Sequence, residues 1–246
     1  MSKYSQLVQK YKEITRKECY EIDVIDKEFP ELMDDKLGGD PYLPVGVEWP
    51  RDSQGSKMNL LFQINLKNIK LDGFPVSGIL EIFAPTIMDY PSECKIFIFE
   101  EGLESQKELI DQYMEEFFIP YPMKIKLNKT YEHMPMSCEE SDEILCKLLK
   151  EYLNKDYDHR WDVPDDEYYN EIYDGITKSN IGGYPDFIQD DSNDYNSKKD
   201  VCILKLDSTT HDDIYIGDCG ILRVIVPKED LLNKDFSNAC LDWDCC

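Results

Sequence analysis

The first residues of the chain carry apolar side chains at the spacing of one helical face. Tyr4, Leu7, Val8, Tyr11 and Ile14 recur three or four positions apart, with lysines between them. One face of such a segment is apolar and the opposite face is charged. This pattern predicts an amphipathic helix over the first 16 residues, packed against the rest of the protein.

Further along, short apolar runs bounded by turn residues predict strands at residues 59–66, 78–83, 95–99 and 123–127. In the first three runs the apolar residues hardly alternate with polar ones. This favours strands that are covered on both faces, or at least on most of one. We expect the tail, residues 236–243, to return as an edge strand.

Helical spacing occurs between and after these runs. Helices are predicted over residues 105–118, over 139–156, over part of 156–174, and as a turn or two at 228–232. Ser137 and Glu140 have the spacing of a capping box at the start of the second of these helices.

Three elements occur twice, in the same order and at similar spacing. Gly38-Gly39-Asp40-Pro41 matches Gly182-Gly183-Tyr184-Pro185, and each motif is followed by an apolar run and then by a Gly-Ile-Leu strand that begins at Gly78 or Gly220. The pattern predicts an α+β fold with two related β-rich halves, an internal duplication, built from mainly antiparallel sheets with flanking helices.

This organisation divides the chain into four segments, expected to form one compact unit. They are an N-terminal helix and lead-in (1–36), a first β-rich repeat (37–104), a helical acidic connector (105–180), and a second β-rich repeat with the C-terminal tail (181–246).

The formal charge of −24 limits which partners the protein can bind. Nucleic acid and anionic membranes are not expected, because their binding depends on clustered lysine and arginine. The excess is greatest over residues 137–200, with 18 acidic and 7 basic side chains. Such a run is either a solvated face that maintains solubility or a docking face for a basic protein partner.

The nine cysteines are scattered, with no Cys-x-x-Cys spacing, which argues against a disulfide framework and a zinc knuckle. The first residues lack an apolar signal core, and no apolar stretch approaches the length of a membrane span. We therefore predict a cytoplasmic protein with free thiols.

Signatures of common catalytic and metal sites are missing from the sequence. Phosphate-binding and dinucleotide-binding loops, nucleophile elbows and zinc-protease motifs do not occur. The three histidines, His133, His159 and His211, lie far apart in sequence. The acidic loop 190–194 lacks the glycine and the glutamate of a calcium-binding EF-hand loop and is expected to be solvated. We predict no cofactor, no metal and no catalytic residues.

The paired Gly-Gly-x-Pro motifs have a structural and a functional interpretation. Glycines permit positive φ and close backbone approach, which a chain entering a sheet needs. Exposed amides beside aromatic residues could also line a groove at the seam, which we define as the junction between the two halves. The candidate ligand-binding residues at the seam are Gly38, Gly39, Tyr42, Trp49, Gln63, Gly182, Gly183, Tyr184, Asp186, Gln189 and Asp218.

A set of motifs in a fixed order resembles the YwqG-like family of bacterial proteins of unknown function. They are Gly38-Gly39-Asp40-Pro41-Tyr42-Leu43-Pro44, Trp49-Pro50, Leu60-Leu61-Phe62-Gln63-Ile64-Asn65, Ser77-Gly78-Ile79-Leu80, Gly182-Gly183-Tyr184-Pro185, Gly217-Asp218-Cys219-Gly220, Lys234-Asp235-Phe236-Ser237 and Trp243-Asp244-Cys245. The resemblance covers nearly all of the chain beyond the first helix. It implies the fold and a cytoplasmic bacterial setting, and it brings no activity or catalytic residue.

Two functional hypotheses follow. The first is a non-catalytic binding or interaction protein whose acidic surface holds a basic partner, with an immunity-like role as one specific form. The alternative is an enzyme, or a small-ligand or metal binder, with its site at the seam. A role in protein interaction is favoured because a duplicated scaffold and strong negative charge occur without a catalytic constellation.

Overall fold

A computed structural model describes residues 2–86, 93–106, 117–189 and 195–245. Within these ranges the chain forms ten strands. They are β1 (Lys17–Val24), β2 (Lys36–Leu37), β3 (Asn59–Asn65), β4 (Ile79–Ala84), β5 (Lys95–Phe99), β6 (Met123–Glu132), β7 (Asn180–Ile181), β8 (Asp200–Asp207), β9 (Ile221–Pro227) and β10 (Cys240–Asp244). The strands predicted in the first half are confirmed, and β6 runs five residues beyond its predicted end at Leu127.

Four α-helices accompany the strands in the described ranges. They are α1 (Ser5–Ile14), α2 (Glu140–Leu153), α3 (Asp166–Tyr173) and α4 (Lys228–Asn233). All four were predicted, within a few residues at their ends. The predicted helix over residues 105–118 and the acidic loop 190–194 lie wholly or mainly outside the described residues.

The predicted capping box at α2 is wrong. The N-cap is Glu139, which makes no side-chain cap bond. Ser137 Oγ instead donates to Asp186 Oδ1 at 2.6 Å and accepts from Phe187 N at 3.1 Å. A contact distant in sequence has therefore replaced the local motif.

All strand pairs are antiparallel and join into one sheet, which confirms the α+β class. The order across the sheet is β10-β9-β8-β7-β1-β6-β2-β3-β4-β5. The long β1–β6 pair, with Lys17 opposite Glu132, forms its centre. On either side lie a two-residue strand and then a meander, so β2-β3-β4-β5 and β7-β8-β9-β10 occupy corresponding positions.

The two sides of the sheet share one apolar core. A single cluster of buried side chains includes Phe62 of β3 and Ile82 of β4 together with Leu204 of β8 and Val224 of β9. A second cluster groups Ile225 of β9 with buried residues of α1, α2 and α3. Neighbouring residues of a strand point to opposite faces, so the helices cover the side of β9 that faces away from the shared core.

Buried polar side chains form a row on each side of the sheet. Paired residues on adjacent strands place Lys36, Gln63 and Glu81 in one row, and Asn180, Lys205, Arg223 and Asp242 in the other. All seven are less than 3% exposed. Each Gly-Gly-x-Pro segment is hydrogen-bonded at or beside one of these rows. In the first half Tyr42 N donates to Gln63 Oε1, and in the second half Tyr184 N donates to Glu132 Oε1, which lies beside Lys205.

No helix in the described ranges is long and apolar enough to cross a membrane. The eight cysteines in these ranges are all free thiols, as predicted.

Candidate functional site

A pocket of about 370 Å³ opens where α2, the 3₁₀ turn Arg160–Asp162 and the segment after β7 meet. It is lined by Ser137, Glu139, Asp142, His159, Arg160, Trp161 and Gln189. Its volume is in the range of small-ligand sites, and its lining is mainly polar. Gln189 is one of the residues proposed from the sequence, and Ser137 joins the pocket to a second one, Asp186.

Arg160 is the buried cation of the pocket, with 6% of its surface exposed. Its Nε donates to Met136 O at 2.5 Å, and its Nη1 lies 3.3 Å from Asp142 Oδ1. The same Asp142 oxygen accepts from the backbone N–H of Arg160 at 2.7 Å. Asp142 therefore ties the 3₁₀ turn to the first turn of α2 and fixes the guanidinium at the pocket wall.

His159 and Trp161 form the rim. His159 Nδ1 accepts from Trp161 N, and Asp162 Oδ2 accepts from His159 N, so each end of the turn caps the other. Trp161 is 44% exposed, and its ring stacks on Tyr169 of α3 with centroids 5.8 Å apart. A half-exposed indole held in place on one side offers apolar contact area to a ligand at little entropic cost.

The segment after β7 is held by a buried ionic network on the last two strands. Arg223 pairs with Asp242 and Asp244, and its Nη1 also donates to Asp186 O at 2.8 Å. Asp244 Oδ2 accepts from the backbone N–H of Gln189 at 3.0 Å. Burial raises the pKa of the Asp186 carboxyl, and the nearby charge of Lys205 partly offsets this rise.

Glu132, at the end of β6, organises the second Gly-Gly-x-Pro segment. Its carboxylate accepts from Asn180 Nδ2, Thr177 Oγ1 and Lys205 Nζ, at 3.1, 2.6 and 3.3 Å. A Cβ on Gly183 would lie 2.0 Å from Glu132 Oε1. Glycine is therefore needed here for close backbone approach to a buried carboxylate, as the structural interpretation of the motif requires.

The predicted residues of the first half lie around the other polar row. Gln63 Oε1 accepts from Tyr42 N, and its Nε2 donates to Leu32 O and Asp34 O. Tyr42 is 2% exposed, and Trp49 Nε1 donates to Met58 O at 2.8 Å. Their polar atoms are thus engaged in holding the loops over the sheet.

The predicted glycines differ in their surroundings. Gly38 and Gly39 have positive φ and lie against Ile119 and Pro122. Gly182, also with positive φ, lies against Leu71 and so contacts the other half of the chain.

Among the described residues, no hydrogen bond joins the predicted residues of the first half to those of the second. Asp218 lies exposed on the turn before β9. The pocket is therefore associated with Asp186 and Gln189, while the remaining seam candidates stay predictions.

Of the seven residues that line the pocket, sequence reasoning proposed only Gln189 and missed six: Ser137, Glu139, Asp142, His159, Arg160 and Trp161. A signal was present, since Arg160 is the one cation among six carboxylates over residues 156–167. In the described part of the chain, no group of three or more histidine, cysteine or acidic side chains is arranged to hold a metal ion.

Comparison with known proteins gives a family and no activity. No curated protein matches the chain. A family model described as a domain of unknown function, DUF1963, matches residues 35–245. The match begins after α1 and β1, although β1 forms half of the central strand pair of the sheet. Because the match spans most of the sequence, the chain belongs to the DUF1963 family.

Proposed function

We propose that this chain is a non-catalytic binding protein that holds a basic partner on the acidic segment, defined as residues 156–167. The observation that carries the proposal is the pocket itself. Glu139 and Asp142 line it, Trp161 is half-exposed at its rim, and the acidic segment forms one wall. Carboxylates beside an exposed aromatic ring suit an incoming cationic group.

Charge around the pocket supports the same partner. The acidic segment carries six carboxylates and one arginine, and that arginine is already paired with Asp142. Asp158, Asp162 and Asp166 are exposed. Such a surface attracts a basic protein over a distance set by the ionic strength, about 10 Å at 0.1 M salt.

The hydrogen bonds of the pocket support binding rather than catalysis. Ser137 Oγ donates to Asp186 and accepts from Phe187 N, so this hydroxyl holds the segment after β7. His159 caps the 3₁₀ turn. No recorded hydrogen bond between described residues joins Ser137 to His159, as a nucleophile and its base would require.

Binding of a basic peptide tests the proposal. Titration with octa-arginine, followed by tryptophan fluorescence at about 50 mM salt, should give saturable quenching that weakens at least about tenfold at 500 mM. Trp161→Phe should remove most of the signal while the affinity measured by calorimetry is retained. Absence of binding at low salt, or binding that salt leaves unchanged, would refute the proposal.

A matched pair of variants separates local from overall charge. Asp158→Asn/Asp166→Asn removes two exposed charges from the acidic segment, whereas Asp212→Asn/Glu229→Gln removes two exposed charges elsewhere. We expect the first pair to weaken binding and the second to leave it nearly unchanged. Equal weakening by both would mean that net charge alone attracts the peptide. An immunity-like role, with a harmful basic protein as partner, is one form of this proposal.

We further infer that residues 37–104 and 181–246 are duplicated halves. Two observations support this. The β3–β4 and β8–β9 pairings shift register at Leu61 and Ile203, which match in the aligned sequences. Two 3₁₀ turns, capped by Asn65 and Asp207, follow β3 and β8. A crystal structure in which these bulges do not superpose would contradict the inference.

The motifs of the two halves also support YwqG-like membership within the family and a cytoplasmic location. Fractionation of the host cell tests the location.

A further inference from the structure

The pocket presents a hydrogen-bond donor that the protein itself does not use. Arg160 is 94% buried, yet its recorded contacts involve only Nε, Nη1 and the face of Trp161. Its Nη2 donates to no acceptor among the described residues. Arg160 lines the pocket, so this guanidinium nitrogen can donate to an acceptor oxygen of a ligand in a charge-assisted hydrogen bond.

Two carboxylates line the pocket beside Arg160. Glu139 and Asp142 are three positions apart at the start of α2, so they lie on the same face of the helix. The recorded contacts of Asp142 all use Oδ1. Its Oδ2 accepts no hydrogen bond within the described chain, and neither does the carboxylate of the exposed Glu139.

This combination selects the chemistry of the ligand. Next to Arg160 a cation without an acceptor atom of its own is disfavoured, and next to Glu139 and Asp142 an anion is disfavoured. A group that carries an ammonium next to a carbonyl or carboxyl oxygen can bind the carboxylates and Arg160 at once. The pocket volume of about 370 Å³ suits one residue rather than a folded segment.

We propose that the pocket binds an α-ammonium group together with the adjacent carbonyl oxygen. Glu139 and Asp142 Oδ2 accept from the ammonium, Arg160 Nη2 donates to the oxygen, and the first side chain lies against Trp161. This inference rests on the proposed function. The chemistry is shared by the free N-terminus of a basic partner and by a free amino acid, which the experiment distinguishes.

The experiment compares a peptide of four Ala-Arg repeats with a free N-terminus to an acetylated form. The acetylated form carries one added arginine, so that the charges match. Calorimetry at about 50 mM salt should give at least about tenfold tighter binding for the free N-terminus. L-Alanine and N-acetyl-L-alanine form the amino-acid arm of the same measurement.

Two variants give a matched test. Glu139→Gln removes one carboxylate of the pocket, and Glu151→Gln removes an exposed carboxylate farther along the same helix. The ratio of the two dissociation constants, acetylated peptide over free peptide, should fall towards one in Glu139→Gln. In Glu151→Gln it should stay at the wild-type value. The melting temperature of both variants should match that of the wild type, because both side chains are exposed.

The outcomes separate this inference from the proposed function. Equal, salt-sensitive binding of both peptides overturns N-terminal recognition and leaves the basic-partner proposal intact. If neither peptide binds, the basic-partner proposal fails. If L-alanine then binds and N-acetyl-L-alanine does not, the result supports a free amino acid as the ligand. Lack of binding by every probe overturns both.

Discussion

Glu81 should make the protein less stable as pH rises through neutrality. It lies on β4, fully buried, opposite Gln63 of β3. Among the described residues, neither of its carboxylate oxygens accepts a hydrogen bond. Gln63 does not donate a hydrogen bond to Glu81, because its amide oxygen and nitrogen are both bonded to backbone groups. Burial raises the pKa of Glu81 from 4.5 to about 8, and the nearby charge of Lys36 offsets only part of the rise.

The sign of the effect follows from proton binding. Between pH 4.5 and about 8 the folded state holds a proton on Glu81 that the unfolded state has released. The free energy of unfolding therefore falls as pH rises, by at most about 1.4 kcal/mol per pH unit. From about pH 5.5 to pH 7.0 this amounts to roughly 2 kcal/mol.

Lys36 contributes in another pH window. Burial lowers its pKa from 10.5 to about 8, so its protonation differs between folded and unfolded states mainly above pH 8. There the unfolded state binds more protons, and stability rises with pH. Lys36 therefore contributes little below pH 7. Comparing Glu81→Gln with the wild type separates Glu81 from other groups that titrate there, such as the buried His133, whose pKa is lowered by burial.

Glu81→Gln tests this reasoning by urea unfolding, followed by circular dichroism at four pH values from about 5.5 to 7.0. The variant should gain roughly 2 kcal/mol relative to wild type across this range. The change with pH is diagnostic, because the buried amide adds a constant cost of its own. Glu48→Gln, at an exposed site, should follow the wild type. A difference between Glu81→Gln and wild type that stays constant with pH would refute a protonated Glu81.

Three further predictions concern the buried network and the thiols. Gly183→Ala should lower the free energy of unfolding by roughly 2–3 kcal/mol in chemical denaturation, because the new methyl group would clash with Glu132. An unchanged unfolding midpoint would contradict that contact. Lys205→Met should lower the free energy of unfolding by about 3–5 kcal/mol, because it leaves Glu132 buried without its ion pair. The double variant Lys205→Met/Glu132→Gln should regain part of that stability. Among the described cysteines Cys219 is the exposed one, so Cys219→Ser should remove one rapidly reacting equivalent in a thiol titration.

Much of the fold could be predicted because its longer elements carry strong local patterns. The central strand β1 was missed, although Tyr20 and Ile22 alternate with Glu21 and Asp23, a signal of period two. Strands β2 and β7 have two residues each, and their existence depends on pairing with distant strands. No local pattern of that length can specify a strand.

The pocket was predictable only in part, because distant contacts build it. Asp186 and Gln189 follow the second glycine motif and were proposed for that reason. Arg160 becomes a pocket residue through Asp142, 18 positions earlier. Its isolation among carboxylates marks it in the sequence, but that pattern does not show whether the arginine is buried or solvated. Ser137 had the spacing of a cap, yet its bond to Asp186 crosses 49 positions.

The buried polar rows could have been inferred because charged residues occur within strands whose other residues are predicted to be buried. Weak alternation predicted strands covered on both faces, and a charged residue within such a strand must be buried and paired. Glu81 lies in such a strand, and Lys205 and Arg223 lie in the second-half strands β8 and β9. All three are buried, and their pairing depends on residues of other strands. Lys205 and Arg223 each have a carboxylate partner, whereas Glu81 accepts no hydrogen bond in the described chain. The unmet carboxylate in the first row is therefore where stability should depend most on pH near neutrality.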